Sequence, residues 1–216
     1  MTDRAQATRE LILATAERLY AEHGVLAVSN RQISEAAGQG NNTAVGYHFG
    51  TRAELVRAIV RKHTGPIERL RRHRLGGVGG HSPLRDWLGC LVYPTTEHLA
   101  ELGAPTWFAR FAAQVTTEPS LRTVIIEETL TSPSLVRTVS GLYRCLPGLP
   151  AEARAERNDV TRLVLVHAMA ERERALAEGA GTPRDGWRET ATGLTDALAG
   201  LWLAPVTKQP HRKDQP

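Results

Sequence analysis

Thr43-Ala44-Val45-Gly46-Tyr47-His48-Phe49-Gly50-Thr51-Arg52-Ala53-Glu54-Leu55 is the segment from which the architecture of this chain can be read. Thr43 to Phe49 has room for only two helical turns before Gly50 interrupts it, with Val45 and Phe49 four positions apart on one face and Tyr47 and His48 off that face. Thr51 followed three residues later by Glu54 is a capping box, in which side chains satisfy backbone N–H groups that a first helical turn leaves unpaired. It opens a longer helix with Leu55, Ala58, Ile59, Ile67 and Leu70 on one side, in which Pro66, lacking an N–H, is expected to produce a kink or a restart.

The residues before this segment repeat the same grammar. Ser29 and Gln32 form another capping box, Ile33, Ala36 and Ala37 supply a buried face, and Gly38 ends that helix. The polar run Gln39-Gly40-Asn41-Asn42 leads into the two-turn helix. Further upstream, Ile12, Leu13, Ala16, Leu19 and Tyr20 make an apolar stripe, which predicts a helix over 7–23 that stops near Gly24. Two short helices joined by a Gly-containing turn and flanked by longer ones read as a helix-turn-helix unit.

From Arg9 to Val60 the chain resembles the DNA-binding domain of the tetracycline-repressor (TetR) family of bacterial transcriptional regulators. The residues that carry the resemblance are Ile12-Leu13-Ala14-Thr15-Ala16, Tyr20, Gly24, Ser29, Ile33, Ala36-Ala37-Gly38, Tyr47-His48-Phe49 and the basic Arg52. Arg52 stands where the family more often has Lys, which keeps the charge and adds a planar fork suited to phosphate. The run from Gly38 to Phe49 is slightly longer than the usual family pattern, which leaves the register of Asn41 and Asn42 open.

The third helix suits the major groove, where its N-terminal residues reach base edges. Asn41 and Asn42 suit adenine and Thr43 suits thymine, although the asparagines also suit a simple cap. The resemblance implies that Tyr47 and His48 lie toward the sugar-phosphate backbone, with Ser29 and Arg31 approaching phosphate from the second helix and Arg52 from the fourth.

Beyond residue 75 the sequence Gly76-Gly77-Val78-Gly79-Gly80 is costly to order and marks a boundary between a DNA-binding domain, 1–75, and a second helical domain, 76–205. In the second domain Ser82-Pro83 opens a helix that Pro94 is expected to break. Pro105, Pro119, Pro133 and Pro150 each fall where a helix can begin, predicting helices near 105–116, 119–130, 133–146 and 150–178. A last helix is expected from Pro183 to Leu203, followed by a polar, disordered tail over 206–216. The fold class is therefore all-α, with an N-terminal helix-turn-helix domain and a C-terminal helical ligand-binding and dimerisation domain.

In that second domain Trp87, Tyr93, Trp107, Phe108 and Phe111 are candidate walls of a small-molecule pocket, with ordinary core packing as the other reading. His167, on the apolar run Leu163-Val164-Leu165-Val166, is a candidate for the same pocket, and Arg110 a candidate partner for an acidic ligand. The final two helices carry apolar seams, Leu163, Val164, His167 and Ala170 on one and Leu194, Leu198, Leu201 and Trp202 on the other. These suit either a shared interface with a second copy or a core within one copy.

Charge agrees with the N-terminal assignment. Residues 1–75 hold 12 Lys and Arg against 7 Asp and Glu, whereas the rest of the chain holds 15 against 16. A basic block of this size is the electrostatic footprint of a polyanion-binding module, or else a solvated helix face. No apolar run approaches the roughly 20 residues that a membrane-spanning helix needs. Met1 to Gln6 lacks the apolar core of a secretory signal, and Cys90 and Cys145 are unpaired in spacing, so a cytoplasmic protein with reduced thiols is expected.

Enzyme signatures are lacking. The chain has no Gly-x-Ser-x-Gly elbow, no phosphate-binding loop, no His-Glu-x-x-His and no Cys-x-x-Cys, and its eight histidines have no metal-ligand spacing. No metal, no cofactor and no catalytic residue is therefore expected. The sequence points to a homodimeric, sequence-specific regulator, more simply a repressor, released from a palindromic double-stranded DNA operator by a small-molecule effector. A nonspecific nucleoid-type DNA-binding protein and a helical enzyme are the competing readings.

Overall fold

The computed structural model describes residues 3–41, 43–180 and 186–207. Among these residues there are ten α-helices and no strand: α1 (Asp3–His23), α2 (Asn30–Ala36), α3 (Ala44–Phe49), α4 (Arg52–Leu75), α5 (Leu84–Leu102), α6 (Phe108–Thr117), α7 (Pro119–Leu130), α8 (Pro133–Arg144), α9 (Ala151–Ala177) and α10 (Trp187–Leu203). The all-α class expected from the periodicity is what the chain adopts. Asn42, Pro183 and the tail from 208 onward lie outside the described residues.

Local chemistry sets the ends of the first helices. The Gln32 amide N–H donates to Ser29 Oγ at 3.2 Å, and the Ser29 N–H donates to Gln32 Oε1 at 2.8 Å, so both halves of the box at α2 are formed. At α4 only one half forms. The Glu54 N–H donates to Thr51 Oγ1 at 3.2 Å, whereas the Glu54 carboxylate turns to Arg57. Gly38 closes α2 at φ +64°, in the left-handed region where a side chain would strain the turn.

Two proline expectations are corrected, those at Pro94 and Pro105, and the alternatives at Pro66 are narrowed to a helix that runs on. Pro66 neither ends nor restarts α4, and Pro94 does not break α5; both helices run through. Each proline forfeits one hydrogen bond, but Ile59, His63, Ile67 and Arg71 of α4 and Cys90, Val92 and Leu99 of α5 are buried on both sides of it. Tertiary packing of the flanking turns outweighs that local loss. Pro105 opens no helix, and α6 begins at Phe108.

The N-terminal core gathers Ile12, Ala16 and Tyr20 of α1, Ile33 of α2, Val45 and Phe49 of α3, and Leu55, Val56 and Ile59 of α4. This core is continuous with that of the second half through Phe108, Phe111, Trp87 and Leu99. The helix α4 joins the two. Its first half packs on α1 and α3, and it also packs on α5, α7 and α8. Arg61 grips Glu128 of α7 with a two-pronged contact at 2.8 and 2.9 Å, and Arg57 reaches Glu127 of α7 at 3.1 Å. Further along, Glu68 accepts hydrogen bonds from the Ser132 and Ser134 hydroxyls and the Ser134 N–H at the start of α8.

Candidate functional site

The unit α2-turn-α3 presents two faces. Val45 and Phe49 are buried and hold α3 to the core, while Gly46 and Tyr47 face out. Tyr47 is 84% exposed. A phenol this exposed contributes little to the core and is open to contact from outside. His48 is half-buried, with its ring edge-on to Tyr47 at 5.1 Å between centroids.

The other residues expected at DNA divide into those that are free to reach out and those already engaged. Arg31 is exposed, with its Nε donating to Glu35 at 2.7 Å, a surface pair that a phosphate can replace. The Ser29 hydroxyl is held in the α2 cap. Asn41 Oδ1 accepts from the Thr43 N–H at 2.9 Å and from the Thr43 hydroxyl at 2.7 Å, so these two side chains build the turn before α3. Asn42 lies outside the described residues. Arg52 is half-buried and turns inward: its Nη2 donates to the Val28 carbonyl at 3.1 Å, stitching the start of α4 to the residue before the α2 cap. Beside it the Tyr20 hydroxyl finds no hydrogen-bond partner among the described residues, and burial pushes that phenol up to about 12 in spite of the Arg52 charge.

The aromatic residues expected to wall one pocket do not meet in one place. Trp87 is sealed against α8 at Gly141. Phe108 stacks on His63 at 3.9 Å, and Phe111 stacks on Tyr20, so both belong to the core joining the two halves. Tyr93 borders a cleft between α4, α5 and α10, with Arg74 over its ring at 3.9 Å and its hydroxyl 3.0 Å from Thr192 Oγ1. Trp107 borders a different cleft, between α1, α4 and the α5–α6 connection. His167 is exposed on α9, away from both. Ring type and chain proximity brought these residues together on paper; α5 and α6 separate them because successive side chains on a helix point in different directions. Arg110 meets an acid within the protein, its Nε lying 3.3 Å from Glu173 Oε2.

The expected dimer seams also divide. Leu198 and Trp202 are 1% exposed, and Ala170 is likewise buried. Trp202 donates from Nε1 to Thr161 Oγ1 at 2.9 Å, and Arg157 donates to the Trp202 and Ala204 carbonyls. Ala170, Leu198 and Trp202 hold one protomer together and are corrected as candidates for contact with a second. Leu163 and His167 face outward, with Val160 beside them, whereas Val164, Leu194 and Leu201 are half-buried.

Sequence reading missed a buried polar chain at the seam between the halves. Glu17 Oε2 lies 3.0 Å from His63 Nε2, and His63 Nδ1 lies 2.8 Å from His98 Nε2, joining α1, α4 and α5. Lys62 Nζ donates to the same Glu17 oxygen at 2.8 Å. Burial raises the Glu17 carboxyl, but His63 and Lys62 together more than offset it and hold it below its ordinary value. Burial and then the neighbouring His63 charge push His98 down to about 4. The partners lie 35 to 46 positions apart in sequence, so no local spacing signals them.

A capped short helix, a glycine turn and a second short helix with an aromatic side chain held out to solvent define a helix-turn-helix DNA-binding protein. The chain matches the model "Bacterial regulatory proteins, tetR family" over residues 12–59 and the model "Tetracyclin repressor-like, C-terminal domain" over residues 90–200. It belongs to the TetR family of bacterial transcriptional regulators, which places a DNA-binding and a ligand-binding half on one chain.

Among solved structures the chain is similar to NalD, the secondary repressor of the MexAB-OprM multidrug efflux pump in Pseudomonas aeruginosa. The identity is 23%, with 92% of this chain and 96% of that one covered and a TM-score of 0.60. PfmR, a TetR family regulator from Thermus thermophilus, gives 16%, 88% and 96% with a TM-score of 0.54. The multidrug binding protein EbrR, complexed with imidazole, gives 19%, 96% and 96% with a TM-score of 0.51. At these identities the likeness establishes the fold. A comparison with curated proteins found no match. No helix among the described residues is long and apolar enough to cross a membrane.

Proposed function

We propose that this regulator is a cytoplasmic homodimeric repressor that reads a near-palindromic operator and leaves it when a small molecule binds, acting by binding alone and not by catalysis. Residues 1–75 form the DNA-reading part and residues 76–205 the part that takes the effector and the second copy. The observation that carries the reading is Tyr47, 84% exposed on a two-turn helix whose opposite face is buried. Tyr47 and His48 rest against the sugar-phosphate backbone, Arg31 exchanges Glu35 for phosphate, and Asn41 and Thr43 shape the approach of α3 to the groove.

Dimerisation follows from reach. A two-turn recognition helix makes too few contacts for strong binding alone, and two copies spaced about one turn of DNA, roughly 34–36 Å, solve this. The outward face of α9, with Val160, Leu163 and His167 at helical spacing, is the surface for the second copy, joined by the exposed Leu203 at the end of α10. Release is a population shift: an effector binds better to the form whose recognition helices are wrongly spaced. The helix α4 transmits it, because Arg57 and Arg61 tie its DNA-side half to Glu127 and Glu128 of α7.

The test is fluorescence anisotropy of the purified chain with duplexes from the regions flanking its own gene, over a salt series with an unrelated duplex as control. A site bound at least about a thousandfold more tightly than the control supports the reading. Equal, steeply salt-dependent binding to every duplex favours a nonspecific DNA-binding protein.

A further inference from the structure

Glu17 is a carboxylate in the seam between the two halves of the protein, 4% exposed. Its two oxygens are used unequally. Oε2 takes both the Lys62 ammonium and His63 Nε2, whereas Oε1 has no hydrogen-bond partner among the described residues and is not sealed from solvent. Beside it is a cleft of about 310 Å³, also walled by Trp107 and by Thr15 and Thr106, whose hydroxyls carry no hydrogen bond to the described residues. The cleft thus presents one buried carboxylate and two threonine hydroxyls beside Lys62, His63 and Arg18, with an indole wall and a volume at the lower end of small-molecule sites.

We infer that this cleft binds a small organic cation, a primary or secondary ammonium carried on a single aromatic ring. The ammonium replaces Lys62 at Glu17, and the ring lies against Trp107. The exchange is feasible because the Lys62 side chain is 42% exposed and can swing into water, while Glu17 cannot follow it. An anion is disfavoured, since it would face a buried carboxylate. A neutral ligand would leave Lys62 in place. Arg18, at the rim, is already paired with Glu22 at 3.0 Å.

Binding there has a consequence for DNA that rests on the repressor reading. The Lys62–Glu17 pair is one of two polar ties from α4 to α1, on which the helix-turn-helix unit packs, so its loss leaves α1 held to α4 at this point by His63 alone and lets α1, α2 and α3 shift relative to α4.

The binding step is tested without DNA, by calorimetric titration of the full chain at pH 7.5 with 2-phenylethylammonium, 2-phenylethanol and 3-phenylpropionate. Saturable binding of the amine at least about tenfold tighter than of the alcohol is expected, as a charge-assisted contact to a buried carboxylate requires. Glu17→Gln weakens the amine by a similar factor. Lys62→Met removes the competing ammonium and tightens it, with thermal melting on the same preparation confirming that the chain is folded. Tyr47→Ala leaves amine binding unchanged. Equal binding of amine and alcohol, or a Lys62→Met chain that binds the amine no more tightly than the parent, overturns the inference. A chain that takes the amine but has no operator overturns the repressor reading and leaves the cleft assignment standing. A chain that finds its operator but ignores the amine does the reverse.

Discussion

Trp87 and Gly141 touch so closely that a methyl group added at Gly141 would sit 2.2 Å from Cε3 of the indole. The contact locks α5 to α8, and Trp87 is 2% exposed there. The buried Trp87 ring has no room to move away from the new methyl, so Gly141→Ala forces the helices apart. A loss of at least about 2 kcal/mol is expected in urea denaturation. An unchanged midpoint would mean that α8 slides freely on α5.

Tyr47 separates binding from folding. Because its ring is 84% exposed, Tyr47→Ala changes stability by no more than about 0.5 kcal/mol. Operator affinity falls by tenfold or more if the ring packs on the DNA backbone. Anisotropy and thermal melting on the same preparation check this. Equal losses in both would make Tyr47 structural.

Arg52 is the opposite case. Its donation to the Val28 carbonyl at 3.1 Å predicts that Arg52→Ala lowers stability by about 1–2 kcal/mol, with DNA affinity falling as a consequence. Arg52→Lys recovers part of this, because an ammonium lacks the fork. A variant with normal melting, weaker DNA binding and a salt slope smaller by about one phosphate would assign Arg52 to the DNA instead.

His98 links folding to acidity. Its ring faces His63 and Lys62 of α4 and Glu17 of α1 and feels the charge of Arg69, and burial leads the causes that bring it down to about 4. The unfolded chain takes up a proton near pH 6.5, where the native ring does not, so the unfolded state binds more protons between pH 6.5 and 4. Stability is therefore full above about pH 6.5 and falls by up to about 3 kcal/mol as the pH drops toward 4. Denaturation midpoints across that range should show the slope, and His98→Gln should flatten it.

Leu163 and Trp202 distinguish assembly from folding. Leu163 is 45% exposed on the outer face of α9, so Leu163→Glu is expected to yield folded monomers by light scattering at micromolar concentration. Trp202, 1% exposed, supports its own protomer, and Trp202→Ala costs about 3–5 kcal/mol at any protein concentration.

The N-terminal unit was legible because its signals are local. A capping box such as Ser29–Gln32, a glycine such as Gly38 and the four-residue spacing of Val45 and Phe49 act within one or two turns, where neighbours in sequence are neighbours in space. The helical class of the second half followed from the same periodicity. Three things were not legible. Pro66 and Pro94 run inside continuous helices, because burial of the turns on both sides outweighs one missing hydrogen bond. Candidate pocket aromatics on α5 and α6 went to separate places, because sequence periodicity shows that a helix has a buried face but not what that face meets. Glu17, His63 and His98 met only when three helices crossed, so their union depends on long-range packing, which composition and spacing along one chain do not encode in any local pattern.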